Sequence, residues 1–235
     1  MEHHHYHGDT EKKKREKKIK YCSMTFLILA IIMLIPYLAM EFFPFITSIQ
    51  AHKKINLSTM CYTFLRITLV LMPIVIAAPS KMYMQFIEKI KLIGKLLSLT
   101  SFFFFCGLVA DIMSYNIFGG YIDVGEDPIM IKMLYGQVGI TGIVLCFIEG
   151  VLYLLLSKII KQHKKDVVIL FAVTYAVNLI APFVCLIIND VPFFTKDWYT
   201  WFNKNIFIWI TNLLTVIGLA IATKSRRVWS EIVWR

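Results

Sequence analysis

Residues 96–118 read LLSLTSFFFFCGLVADIMSYNIF, a stretch that is long and apolar enough to cross a bilayer as a helix. It carries one ionisable residue, Asp111, well inside the apolar run. A carboxylate in hydrocarbon is costly without a partner, and charges at that depth usually mark ion or substrate pathways. The stretch therefore predicts a membrane-spanning helix with a polar interior face. Residues that pair with Asp111 are expected at similar depth on other helices.

Composition places the whole chain in the membrane class. Hydrophobic residues make up 58% and charged residues 17% of its 235 residues, against about 45–50% and about 25% in soluble domains. The net charge of +10 comes from an N-terminal run and short loops, without a basic face or a nucleic-acid motif. Lipid is thus the expected partner, and nucleic acid is not.

The fold class predicted is an all-α, six-helix transmembrane bundle. The N-terminal segment 1–20 is polar and basic and is expected to be disordered, and residues 224–235 form a basic tail. The transmembrane domain covers residues 21–223. Its spans are expected at about 21–43, 57–79, 96–118, 134–156, 166–188 and 205–223.

Lysine and arginine set the orientation of these spans. They concentrate in residues 1–20, 80–95, 157–165 and 224–235, whereas residues 119–132 are acidic and residues 189–204 are nearly neutral and aromatic. Because basic loops stay on the cytoplasmic side, both termini are predicted to be cytoplasmic. The cell membrane is the expected location.

Residues 80–95, SKMYMQFIEKIKLIGK, have apolar residues near helical spacing beside four lysines. This pattern predicts an amphipathic helix in the cytoplasmic interface, between the second and third spans. Met84, Ile87 and Lys91 are its candidates for docking a cytosolic partner such as an ATPase. The alternative is a surface connector without a partner.

A polar layer is expected in the outer half of the bundle. Counting the helical rise from the predicted outer ends of the spans puts its residues about 10 to 17 Å deep. The candidates for binding a substrate or ion are Arg66, Asp111, Glu149, Asn178 and Asn212, with Tyr115 and Tyr153 on the same helix faces.

Two interpretations of this layer remain open. In one, Arg66 pairs with Asp111 or Glu149, and the remaining carboxylate binds a cation or carries a proton in a cavity open to the outside. In the other, the charges form a buried pair that specifies how the helices assemble, with Asn178 and Asn212 as interhelical hydrogen-bonding residues.

Gly136, Gly139 and Gly142 are spaced by three residues at the start of the predicted fourth span. Small residues at such steps let a second helix approach closely. They are the candidate surface for oligomerisation or for contact with another membrane subunit.

Enzyme signatures are missing from the sequence. No predicted span contains a histidine, the five cysteines show neither a CxxC nor a metal-ligand spacing, and no nucleotide-binding or hydrolase motif is present. Neither a catalytic residue nor a metal site nor a cofactor is predicted, and an intramembrane enzyme is the least favoured function.

The favoured function is transport, as a self-contained carrier or as the permease subunit of a larger transporter. Charges inside the membrane and helix-breaking prolines favour it. The alternative is a non-transporting membrane subunit, a sensor or an immunity-type protein that binds partners through its aromatic outer loop or its glycines. No internal repeat is visible, which weighs against the self-contained carrier.

Overall fold

The computed structural model describes residues 3–51, 56–77, 86–114, 129–136, 139–160 and 166–224. Within these ranges the chain consists of helices joined by short turns and contains no β-strand. The helices are α1 (His3–Gln50), α2 (Leu57–Ala77), α3 (Phe86–Ser114), α4 (Met130–Tyr135), α5 (Ile140–Ile159), α6 (Asp166–Ile188) and α7 (Lys196–Lys224).

Side-chain burial follows the pattern of a membrane protein. Large apolar side chains such as Phe102, Phe147 and Ile180 are exposed, whereas polar residues such as Asp111 and Glu149 are buried. Four of the described helices are long and apolar enough to cross a membrane, and a helix satisfies its own backbone hydrogen bonds in hydrocarbon. The chain is therefore a multi-pass integral membrane protein. The four stretches are Leu57–Ile76, Glu88–Ser114, Ile140–Ile159 and Ile169–Ile188.

Five long helices form a closed ring around the short helix α4. The neighbours in the ring pack in the order α2, α3, α5, α6 and α7, and α7 returns to α2. Helix α4 contacts all five of them, and its Met130, Ile131, Leu134 and Tyr135 are buried. Helix α1 packs outside the ring against α2 and α7. A six-residue helix thus fills one mouth of the ring.

Two close crossings hold α3 in place. The Thr68 and Thr100 hydroxyls are 2.8 Å apart between α2 and α3, and the Ser101 hydroxyl donates to the Gly150 carbonyl of α5 at 2.8 Å. At Gly150 the two helices approach so closely that an added Cβ would lie 3.0 Å from Phe105 Cζ.

Residues 80–95, expected to form a separate interfacial helix, do not form one in the described part of the chain. From Phe86 onward they are the beginning of α3. Ile90, Ile93, Leu97 and Phe104 are all buried, so one apolar stripe at helical spacing continues from this segment into the span and keeps the helix unbroken. Residues 80–85 lie outside the described part of the chain.

Helix boundaries also differ from the prediction at both ends of the chain. Helix α1 extends back to His3 through the segment expected to be disordered. Its lysines and glutamates are good helix formers, which explains the extension. Helix α7 begins at Lys196, inside the aromatic stretch expected to be a loop. Helix α6, in contrast, has the bounds predicted for the fifth span.

The predicted fourth span is divided by a break at Gly136. Leu134 and Tyr135 belong to α4, Gly136 caps α4 with φ 77°, and Gly139 precedes α5. Of the three glycines expected on one helix face, only Gly142 is inside α5, so the structure does not show the continuous stripe that the spacing suggested.

Candidate functional site

Asp111 is the docking point for the N-terminus of α4. Its Oδ1 accepts hydrogen bonds from the Ile129 amide at 3.0 Å and the Met130 amide at 3.3 Å, and its Oδ2 accepts from the Ile131 amide at 2.6 Å. The first amides of a helix have no partner inside the helix. The carboxylate satisfies them and complements the positive end of the helix dipole.

Ser58 completes this arrangement from α2. Its hydroxyl donates to Asp111 Oδ1 and accepts from the Met130 amide at 2.8 Å. At the other end of α4, Asn205 Nδ2 of α7 donates to the Met133 carbonyl at 2.7 Å. Three helices of the ring therefore hold α4 by polar contacts, and both oxygens of Asp111 are occupied.

Arg66 lies elsewhere and contacts α1 and α7. Its guanidinium is 4.8 Å from the centroid of Tyr37 and 5.0 Å from that of Tyr62, and its Nη2 donates to the Lys204 carbonyl at 2.7 Å. Arg66 is eight residues beyond Ser58 on α2, or about 12 Å along the axis. The predicted pair with Asp111 is therefore wrong: the contacts of Asp111 are made by Ser58 and α4.

Glu149 lies inside the ring below α4. Its side chain is 1% exposed. The Tyr135 hydroxyl at the end of α4 lies beside the Glu149 carboxyl, close enough to interact with it by hydrogen bonding, although among the described residues neither Glu149 Oε2 nor Tyr135 Oη has a hydrogen bond of standard geometry. Cys146 and Tyr153, both on α5, are also within electrostatic range of this carboxyl.

A short chain of hydrogen bonds continues from Tyr153 to α6 and α7. Asn178 Nδ2 donates to the Tyr153 hydroxyl at 2.9 Å, and that hydroxyl donates to Asn212 Oδ1 at 3.2 Å. Asn212 Nδ2 is buried and has no hydrogen-bond partner within the described ranges. The Tyr153 ring stacks on Phe104 of α3, with centroids 5.5 Å apart. We call Tyr135, Glu149, Tyr153, Asn178 and Asn212 the Glu149 cluster.

The structure thus divides the predicted polar layer into separate environments. It brings together Glu149, Tyr153, Asn178 and Asn212, whereas Asp111 belongs to the α4 cap and Arg66 to the contact with α1. Lys91 is exposed on α3. Met84, Tyr115 and the side chain of Ile87 lie outside the described part of the chain.

Sequence reasoning missed Ser58 and Tyr135. Both depend on α4, whose position the apolar run at 129–135 does not reveal. The glycines at positions 136 and 139 are a signal for the break that separates α4 from α5, since glycine readily adopts the left-handed conformation that ends a helix.

Chemically, the Glu149 cluster offers one carboxyl group, two phenols and two amides, with Phe104 stacked on the Tyr153 ring. The described residues contain no group of three or more His, Cys, Asp or Glu side chains that would hold a metal ion. Comparison of the chain with protein-family models, with curated proteins and with solved structures finds no match.

Proposed function

We propose that this membrane protein carries a small polar solute across the bilayer, as a carrier of its own or as the permease subunit of a larger transporter. The observation that carries the proposal is the Glu149 carboxyl, which is buried inside the ring and faces the Tyr135 hydroxyl, but whose Oε2 has no hydrogen bond of standard geometry among the described residues. Buried polar groups in proteins are normally hydrogen-bonded, and exceptions require an explanation. A solute that binds transiently beside Glu149 would explain this exception.

The contrast with Asp111 supports this choice. Both carboxyls are buried to the same extent. Asp111 accepts hydrogen bonds from the Ser58 hydroxyl and from three backbone amides at the start of α4, whereas the donor beside Glu149 in the described structure is the Tyr135 hydroxyl, outside standard geometry. A charge kept in hydrocarbon for assembly alone is expected to be paired in this way. Glu149 lacks the set of backbone amides and the serine hydroxyl that hold Asp111 in place. Its neighbours are the phenol and amide side chains of the Glu149 cluster, which suit a binding site.

The proposed topology has six spans, with α1 and α7 added to the four helices that qualify by length and composition. Both termini face the cytoplasm of the cell membrane, so α4 and its Asp111 cap lie toward the outside. In this arrangement α4 closes the outer mouth of the ring above the Glu149 cluster. A solute coming from outside then passes only when α4 moves.

The test is solute flux through the purified protein in proteoliposomes. The assay uses a panel of labelled solutes: a small amine, an amino acid, a sugar and inorganic phosphate. We expect one class to move and Glu149→Gln to reduce its flux at least about tenfold, because the carboxylate is lost while its volume is kept. Asp197→Asn removes an exposed carboxylate at the start of α7 and should leave flux unchanged.

The permease version is tested by gentle purification from the native membrane followed by mass spectrometry. A co-purifying cytosolic ATPase supports it, and flux is then measured with that ATPase present. Flux that is absent for every solute under both conditions, or that is equal in the wild type and Glu149→Gln, contradicts the proposal.

A second candidate function is that of a non-transporting subunit, sensor or immunity-type protein. The exposed aromatic residues before and within the first turn of α7 favour it. Phe194 is 71% exposed and adopts φ 63°, a conformation unusual for a residue with a side chain, and Tyr199 beside it is also exposed. Co-purification of a membrane receptor or toxin, without flux, would favour this function.

A further inference from the structure

We propose that the Glu149 cluster binds a small organic cation that carries a protonated amino group. The inference rests on the proposed function in taking this cluster as the solute site, and it names the chemical class of the solute. Binding is measurable without transport, so the two proposals can fail separately.

Charge favours a cation at this site. Glu149 is the carboxyl of the cluster, and Asp111, which also couples electrostatically to the Cys146 thiol, already accepts hydrogen bonds from amides at the start of α4. An unpaired carboxylate in a low-dielectric interior is strongly destabilised, and a cation that binds beside it removes that penalty. An anion or a neutral solute gains no such advantage.

Hydrogen bonding also fits an amine. A protonated amine donates up to three hydrogen bonds, and Glu149 Oε2 and Tyr135 Oη, which face each other without a hydrogen bond of standard geometry among the described residues, are both able to accept from it. Asn212 Nδ2 is a buried donor without a partner in the described part of the chain, which fits an oxygen atom elsewhere on the same solute. The cluster therefore matches an amine that also bears a hydroxyl or carbonyl group.

The ligands of the cluster favour an organic cation over a metal ion. One face of Tyr153 is stacked on Phe104, with ring centroids 5.5 Å apart, so the cluster offers a solute its carboxyl, phenol and amide groups and not that aromatic face. Divalent metal ions need six or more oxygen ligands in the case of Ca²⁺, or a strict octahedron in that of Mg²⁺, and a single carboxylate among phenols and amides does not supply them.

The experiment measures binding of ethanolammonium to the full-length protein in a mild detergent, by isothermal titration and by the shift in melting temperature. Ethylene glycol, its nearly isosteric neutral counterpart, and NaCl at equal ionic strength serve as comparisons. We expect saturable binding of ethanolammonium with a raised melting temperature, because a ligand that binds only the folded state stabilises it. Neither comparison should reproduce it.

The variants assign the binding to the cluster. Glu149→Gln should weaken ethanolammonium binding at least about tenfold, as expected for loss of a charge-assisted hydrogen bond. Tyr135→Phe should weaken it less, and Asp197→Asn should not change it. Gel filtration confirms that each variant is folded.

Three results would overturn the inference: no binding of ethanolammonium, equal stabilisation by ethylene glycol or NaCl, or binding that Glu149→Gln leaves intact. Binding that depends on Glu149 without any flux would support the inference and reject transport. Flux of an anion or sugar that depends on Glu149, without ethanolammonium binding, would support transport and reject the inference.

Discussion

The two buried carboxyls Asp111 and Glu149 differ in the hydrogen-bond donors that surround them. Asp111 accepts hydrogen bonds from one hydroxyl and three backbone amides. Glu149 faces the Tyr135 hydroxyl, but its Oε2 has no hydrogen bond of standard geometry in the described structure. The stability of the folded state should therefore depend on the first carboxylate and not on the second.

Asp111→Asn should lower the free energy of unfolding by about 2 kcal/mol, since the amide group presents a donor where the Ile131 amide needs an acceptor. Glu149→Gln is the matched control and should leave stability unchanged or raise it, because it replaces a buried carboxyl whose Oε2 has no hydrogen bond of standard geometry among the described residues. Thermal or SDS-induced unfolding in detergent measures both. The opposite order of stabilities would contradict the roles assigned to the two residues.

The depth of these residues was predictable, but their partners were not. Helical rise alone puts Glu149, Asn178 and Asn212 at similar depth, and in the structure Tyr153 links the two asparagines. The partners of Asp111 include three backbone amides. Every residue except proline has a backbone amide, so these partners cannot be recognised from residue types in the sequence. Pairing by charge pointed to Arg66, whose planar guanidinium instead lies near two tyrosine rings.

Helix α4 is the element that could not be predicted from the sequence. It has six residues, no side-chain cap of its own and a glycine at its end, so isolated it would not be stable as a helix. Its partners are supplied by α2, α3 and α7. The long spans were predictable because their apolar runs exceed the bilayer thickness, whereas a short helix held by distant side chains has no such periodic signal.

The crossing of α3 and α5 at Gly150 provides a test at the scale of elements. Gly150→Ala would put a Cβ 3.0 Å from Phe105 Cζ and 3.3 Å from Phe104 Cβ, so these two side chains must shift by a few tenths of an ångström to admit it. We expect a loss of about 1–3 kcal/mol in the free energy of unfolding, as for other overpacked sites.

Gly139→Ala is the control for this substitution. Among the described residues, its Cβ would meet Asn189 Oδ1 at 3.6 Å, an ordinary van der Waals contact, and its φ of −175° suits any residue. We expect a change within about 0.5 kcal/mol. Equal effects of the two substitutions would show that the α3–α5 approach is less tight than the structure indicates.

At the scale of the whole molecule, the ring and the charge distribution together predict which parts are accessible from each side. Phe194 should face outside and Lys158, near the end of α5, should face the cytoplasm. A cysteine placed at Phe194 should react with a membrane-impermeant maleimide in intact cells. A cysteine at Lys158 should react only after permeabilisation, and the reverse pattern would invert the proposed topology.

The closure of the ring by α7 against α2 has a consequence for biosynthesis. The two helices that meet there are separated in the chain by α3, α4, α5 and α6, so the ring stays open on one side while those helices leave the ribosome. Until α7 arrives, Asn178 lacks the Trp209 indole that donates to its carbonyl at 3.1 Å, and Tyr153 lacks Asn212. The hydrogen bonds that join the Glu149 cluster to α7 therefore form only after α7, the last of the described helices, has been synthesised.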